Sequence, residues 1–272
     1  MSHNYLSDGR PRVICVAGTS LIHQIGPDDQ NELLKVTSEA MRNEGILISA
    51  LIPNPLSSVG KLIEVQSQYA RPPDAYLIMP VSGIYSSRGL YQNLKTISDR
   101  YGSSHQARFL FYHRQQRDRD QIIKLVCDSP FFIGLKVGTI ADEVPVLTNG
   151  IRDNGIVIWG KGDRSTQAAR LGAKGHTSGI SVIYAKAGDL INNAQRSGDF
   201  EKSWEIEKRI TALEELRFAN GREHNYSAVL EGMILSKFED IDGGEGGPLN
   251  PRVPEVISNK VREAIKGLED LH

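Results

Sequence analysis

The stretch FFIGLKVGT, residues 131–139, decides how this chain is read. Three large apolar residues run into Gly134, then Leu135, a single lysine, Lys136, and Val137. A short apolar run of this kind is the pattern of a strand buried on both faces of a parallel sheet. A lysine at the end of such a strand is costly to bury. Apolar surroundings disfavour an ammonium and leave a nucleophilic amine, the condition for Schiff-base chemistry. The same residue also suits a plainer role, with its head snorkelling out of the strand end or pairing with a carboxylate.

Working outward, strands and helices alternate. RVICVAGTS reads as a strand ending in a Gly-Thr-Ser turn, and PDDQNELLKVTSEAMRNEG as a helix with Pro27 at its start and Gly45 at its stop. ILISALI is the next strand, followed by the helix SSVGKLIEVQSQYA with Ser57 or Ser58 as its cap. AYLIMP, RFLFYH, FFIGLK and IVIWG continue the strands. SRGLYQNLKTISDRYG, closed by its glycine, RDQIIKLVCDS, a segment limited by Pro145 and STQAARLGA continue the helices. KGHTSGISVI is a last strand-like run, giving seven strands. Strict alternation implies parallel strands with right-handed crossovers, hence an open doubly wound sheet or a (β/α)8 barrel. No G-x-G-x-x-G or G-x-x-x-x-G-K-[ST] motif supports the open nucleotide-binding form. The expectation is an α/β TIM-type barrel, incomplete at seven strands, over residues 1–184. Helices alone follow, so residues 185–272 are expected to form a helical extension packed on the barrel.

Composition excludes several classes. A net charge of −1 and 7% aromatic residues do not suggest a nucleic-acid or membrane surface. The run RQQRDRD interleaves aspartates with its arginines and reads as a solvated helix start. No apolar run approaches the ~20 residues of a membrane span. The polar beginning, MSHNYLSDGRPR, lacks the apolar core of a signal peptide. Cys15 and Cys127 both sit in apolar runs and read as buried thiols rather than a disulfide. A soluble, cytoplasmic protein is expected.

In a barrel of parallel strands the chemistry sits at their C-terminal ends. Those ends carry Thr19 and Ser20, Pro80 to Ser82, Tyr112 to Arg114, Lys136, Gly160 to Asp163, and Thr177 to Gly179. Thr19 and Ser20 offer hydroxyls and backbone N–H groups suited to a carboxylate. Tyr112 suits proton transfer, and Arg114 and Arg117 suit bidentate contact with an acid. Each also has an ordinary reading as a turn, a strand-end aromatic or a surface charge. Their recurrence on successive strand ends favours a site. GKGDRS is a weaker candidate for a phosphate cradle, and His113 has no second metal ligand at a recognised spacing.

These residues resemble the dihydrodipicolinate synthase / N-acetylneuraminate lyase family of class I aldolases and lyases, from about residue 13 to the end. FFIGLK resembles that family's strand with the Schiff-base lysine, which would be Lys136. FLFYHRQQR resembles its Y-N-x-P-x-R strand end, with Tyr112 on the catalytic tyrosine, His113 in place of asparagine, and Arg117 on the carboxylate-binding arginine. AGTSLIHQIGPDD resembles the G-G-T-G-E motif and puts Thr19 and Ser20 at the pyruvate carboxylate. WGKGDRSTQAARLGAKGHTSGIS places Thr177 and Ser178 beside the pocket, and GGPLNPRVP resembles the turn before the last helix. YHR and the GTxx spacing lean towards the 5-dehydro-4-deoxyglucarate dehydratase branch. The family's first strand and helix have no counterpart, and the tyrosine that synthases lend to a neighbouring subunit falls at Ser82.

The resemblance implies a lyase, aldolase or dehydratase that joins Lys136 to pyruvate or a longer 2-oxo acid, with no cofactor or metal, in a homo-oligomer (dimer or tetramer). Nucleic acid and membrane are not expected partners. The alternative is a catalytically impaired relative that binds a 2-oxo acid or serves a structural or assembly role.

Overall fold

The computed structural model describes residues 13–236 and 242–272. The polar stretch at residues 1–12 and the end of the expected YSAVLEGMILSKF helix lie outside the described residues. What is described falls into two compact units, residues 13–160 with 171–174, and residues 161–170 with 175–236 and 242–272.

The first unit is a six-stranded parallel sheet. Its strands are β1 (Val13–Val16), β2 (Ile46–Leu51), β3 (Ala75–Ile78), β4 (Phe109–His113), β5 (Phe132–Val137) and β6 (Ile156–Trp159). Between them run α1 (Pro27–Met41), α2 (Leu56–Gln66), α3 (Ser87–His105), α4 (Arg119–Asp128) and α5 (Glu143–Ile151). The spatial order is β1-β2-β3-β4-β5-β6, every pair parallel. A doubly wound sheet reverses its strand order at a switch point. Each strand here is instead added on the same side of the last, the winding of an incomplete (β/α) barrel. β3 and β4 are buried at every residue, as strands covered on both faces should be. Leu34, Leu47, Ala50, Leu77, Leu110 and Tyr112 belong to one buried cluster.

The seventh strand expected at KGHTSGISVI is not formed. His176 makes a single bridge, and a 3-10 turn follows at Ile180–Val182. Its small polar residues bond locally instead of extending: Ser178 Oγ donates to Asp163 and accepts from the Ser181 N–H. In the first unit, the Lys174 N–H donates to the Val157 carbonyl, so part of the free edge of β6 is satisfied by following chain.

Several local expectations give way to packing. α3 passes through Gly102 to His105 because the glycine is a contact site, where a Cβ would lie 2.2 Å from the Phe131 ring. α2 has Pro55 at its N-cap, and no serine side chain caps it; Ser58 Oγ donates to the Pro55 carbonyl. Pro145 does not limit α5. It lies in the first turn, where a missing N–H removes no intrahelical bond. Cys127 is exposed on α4 rather than buried, because the buried stripe of that helix is Ile122, Leu125 and Val126.

The second unit holds α6 (Thr166–Arg170), α7 (Ala185–Arg196), α8 (Phe200–Phe218), α9 (Ser227–Leu235) and α10 (Glu255–Ala264), with a two-residue hairpin of β7 (Gly246–Gly247) and β8 (Asn250–Pro251). Ile183, Tyr184, Ile191, Ile210, Leu213 and Val261 form its apolar core. No helix among the described residues is long and apolar enough to cross a membrane.

Candidate active site

The site begins with an irregularity in the opening stretch. β4 and β5 pair Phe109 with Phe132 but Leu110 with Gly134, so Ile133 is an extra residue bulged out of the ladder. Beyond the bulge, Tyr112 stands opposite Lys136, and Lys136 opposite Ile158 on β6. Paired residues of neighbouring parallel strands share a face, so the bulge puts the phenol and the amine side by side. Gly134 permits it: a Cβ there would lie 2.2 Å from the Ile156 carbonyl oxygen.

Lys136 is 8% exposed and Tyr112 6% exposed. The lysine Nζ lies 4.3 Å from the centroid of the Tyr112 ring. A cation over a ring face is attracted by its quadrupole, and more so where water is excluded. The Tyr112 hydroxyl donates to the Gly160 carbonyl at 3.1 Å. Gly160 does more than accept this bond. A Cβ on it would meet the Val137 carbonyl oxygen at 2.7 Å, Lys136 Cγ at 2.8 Å and Lys136 Cε at 2.9 Å, so the lysine stem lies along the bare backbone. Gly138 does the same for the tyrosine, since a Cβ there would be 2.5 Å from the ring.

No carboxylate among the described residues pairs with Lys136 at salt-bridge distance; the plainer reading of a lysine held by an acid therefore lacks its partner. A second cation approaches the same ring: the Arg114 guanidinium carbon is 5.5 Å from the Tyr112 centroid. His23, in the turn after β1, is exposed, and partial desolvation followed by the Arg114 charge holds it below the usual imidazole range. Cys15 on β1 is pushed up to about 11 by burial, with the Lys136 charge pulling the other way. Lys136 and Arg114 thus set two cations against the Tyr112 ring.

Arg117 stands apart from it. Its Nε donates to Gln115 Oε1 at 2.7 Å, its Nη2 donates to the Tyr85 carbonyl at 2.9 Å, and its guanidinium stacks over Tyr85. Tyr85 in turn donates to the fully buried Asp118 at 2.7 Å, which pushes its own ionisation up behind the larger effect of burial. Thr19 and Ser20 lie in a 3-10 turn at Gly18–Ser20, directly after β1. The Ser20 N–H is bonded to the Ala17 carbonyl at 2.9 Å, whereas the N–H and hydroxyl of Thr19 take no partner among the described residues.

Thr177 and Ser178 belong to the second unit, and Ser178 there is bonded to Asp163 at 2.7 Å. The same unit disposes of the phosphate-cradle reading. The Asp163 N–H donates to Glu214, and the Ser165 and Thr166 N–H groups donate to Glu207 at 2.8 and 2.7 Å. Own-chain carboxylates already occupy the place an anion would take.

Sequence reading missed Gly160 as the residue that admits the lysine stem, together with His23 and Cys15. The WGKG run was the available signal for the first, and nothing in spacing singles out the other two.

No protein-family model matches the sequence, and no curated protein matches it. The fold does have solved counterparts, dihydrodipicolinate synthases among them. The Oceanobacillus iheyensis enzyme superposes with a TM-score of 0.80 at 17% identity, over 97% of this chain and 87% of that one. The Thermotoga maritima enzyme gives 0.78 at 20% identity, over 94% and 86%. The chloride-inhibited Acinetobacter baumannii enzyme, solved in complex with pyruvate, gives 0.75 at 19% identity, over 96% and 88%. The chain therefore has the fold of these synthases.

Proposed function

We propose that this chain is a Schiff-base-forming lyase, aldolase or dehydratase that acts on pyruvate or a longer 2-oxo acid through Lys136. The observation that carries the reading is the lysine itself: buried at the C-terminal end of a barrel strand, laid against the Tyr112 ring at 4.3 Å, and with no carboxylate partner among the described residues. The amine adds to the keto carbon, water leaves, and the protonated imine withdraws electrons from the neighbouring carbon so that a bond there breaks or forms. Tyr112 stands beside the amine to move protons.

The positive neighbourhood suits an acid. Thr19, whose N–H and hydroxyl take no partner among the described residues, and Ser20, with its hydroxyl, are suited to the carboxylate next to the keto group. Arg114 is suited to a distal carboxylate or hydroxyl, because Arg117 is already bonded to its own loop. A cytoplasmic homo-oligomer, dimer or tetramer, completes the proposal.

A second reading is favoured by one observation. The Tyr112 proton is directed at the Gly160 carbonyl and the Ser20 N–H at Ala17, as suits a chain that binds a 2-oxo acid without turning it over. Borohydride reduction with pyruvate, followed by intact mass and peptide mapping, tests the enzyme reading. A stable adduct on Lys136 that is lost in Lys136→Ala is expected. A folded protein that gives no adduct with pyruvate or longer 2-oxo acids overturns it.

A further inference from the structure

Directly behind Tyr112 and Lys136 lies a buried polar cluster for which the proposed chemistry has no direct use. His113, the residue after Tyr112, is fully buried at the end of β4. Its Nε2 donates to Glu143 Oε2 at 2.9 Å. Thr139, three residues after Lys136, donates its hydroxyl to the same oxygen at 2.5 Å. Glu143 is 3% exposed and is the first residue of α5, and its other oxygen lies 3.7 Å from the Arg119 guanidinium at the start of α4. The backbone adds a further tie, with the Gly138 N–H donating to the His113 carbonyl at 2.8 Å.

Resting on the Schiff-base reading, we propose that Glu143, His113 and Thr139 form a positioning clamp that sets the distance between Lys136 and Tyr112. The clamp joins the chain just past the tyrosine to the chain just past the lysine, and no other side-chain hydrogen bond or ion pair among the described residues ties those two segments. A buried carboxylate is costly unless donors surround it. Here the donors to one oxygen come from the two strand ends that carry the reacting groups, while the other oxygen faces only the Arg119 charge, 3.7 Å away. Its carboxylate also sits at the N-terminus of α5, where the helix dipole favours a negative charge. None of the three residues touches substrate; they act through the two residues that do. Displacing a reacting group by about 1 Å is enough to slow a reaction on the order of a hundredfold, so a clamp of this kind has a kinetic signature separate from stability.

Single-turnover borohydride trapping with pyruvate reads that signature on the full chain, alongside thermal melting. Glu143→Ala is expected to lower the limiting trapping rate about tenfold or more, while the half-saturating pyruvate concentration stays within about twofold. Glu143→Gln keeps the shape and the hydrogen-bonding capacity and is expected to restore most of the rate. A merely structural role would lower the melting temperature of both variants and leave the rate of the folded fraction unchanged, and that result overturns the proposal. Thr139→Val, which removes one donor at the edge of the cluster, supplies the same comparison should Glu143→Ala not fold: slower trapping supports the clamp and an unaltered rate overturns it. Absence of an adduct from the wild-type chain overturns the Schiff-base reading first, whereas wild-type trapping with equally fast Glu143→Ala removes the clamp alone.

Discussion

Replacing Gly160 by alanine tests the site with the smallest possible change. One methyl group is added at a position whose backbone is not in the left-handed region, so conformational strain does not enter. The added carbon would lie 2.7 Å from the Val137 carbonyl oxygen, 2.8 Å from Lys136 Cγ and 2.9 Å from Lys136 Cε. Non-bonded carbon contacts settle near ~3.5–4.0 Å, so the lysine stem must retreat by roughly 0.6 Å or more. The carbonyl belongs to the β5 backbone and accepts the Gly160 N–H at 2.7 Å, so it cannot easily yield. Overpacking of this kind costs about 1–3 kcal/mol. At about 2–4 °C per kcal/mol, the melting temperature should fall by roughly 2–12 °C. The displaced amine should trap pyruvate more slowly by about tenfold to a hundredfold. Melting curves and borohydride-trapping rates measured on the same preparation give both numbers. A Gly160→Ala protein that traps pyruvate at the wild-type rate would refute the claim that this bare backbone positions the lysine.

Gly102→Ala sets helix propensity against packing: alanine gains about 1 kcal/mol in a helix interior, but its methyl would stand 2.2 Å from the Phe131 ring, so net destabilisation is expected in chemical unfolding. Arg217→Met should lower stability by about 3–5 kcal/mol, because it strips the fully buried Glu214, already raised by burial, of the guanidinium that compensates it; urea unfolding measures this, and a change below about 1 kcal/mol would contradict it. Arg114→Ala should raise the His23 ionisation part of the way back towards its usual value, because the arginine is the smaller of the two causes that lower it; an NMR titration of the imidazole reads the shift. The sign carries over to stability. A histidine depressed in the folded state costs stability as the pH falls below its unfolded value of about 6.5, and removing Arg114 should lessen that acid-side loss.

The amino-acid sequence by itself determined the alternation of elements, hence the parallel sheet, because its apolar runs are too short for helices, are bounded by turn residues and are separated by longer stretches of helical character. It also singled out Lys136 and Tyr112, each at the end of such a run. Three other matters were decided only in the folded chain. The bulge at Ile133 sets which residues of β4 and β5 stand abreast; it depends on β6 approaching Gly134, a contact between segments more than 20 residues apart. The different placement of Arg114 and Arg117 turns on Tyr85 and Gln115, which take up one guanidinium and leave the other over the Tyr112 ring. KGHTSGISVI has the length of a strand but not its bonding, because Ser178 finds Asp163 and the Ser181 N–H closer than any ladder. Local pattern fixes which segments are strands and helices. Register, and the pairing of charges that follows from it, is set by neighbours distant in sequence, and the chemistry of the site depends on that register.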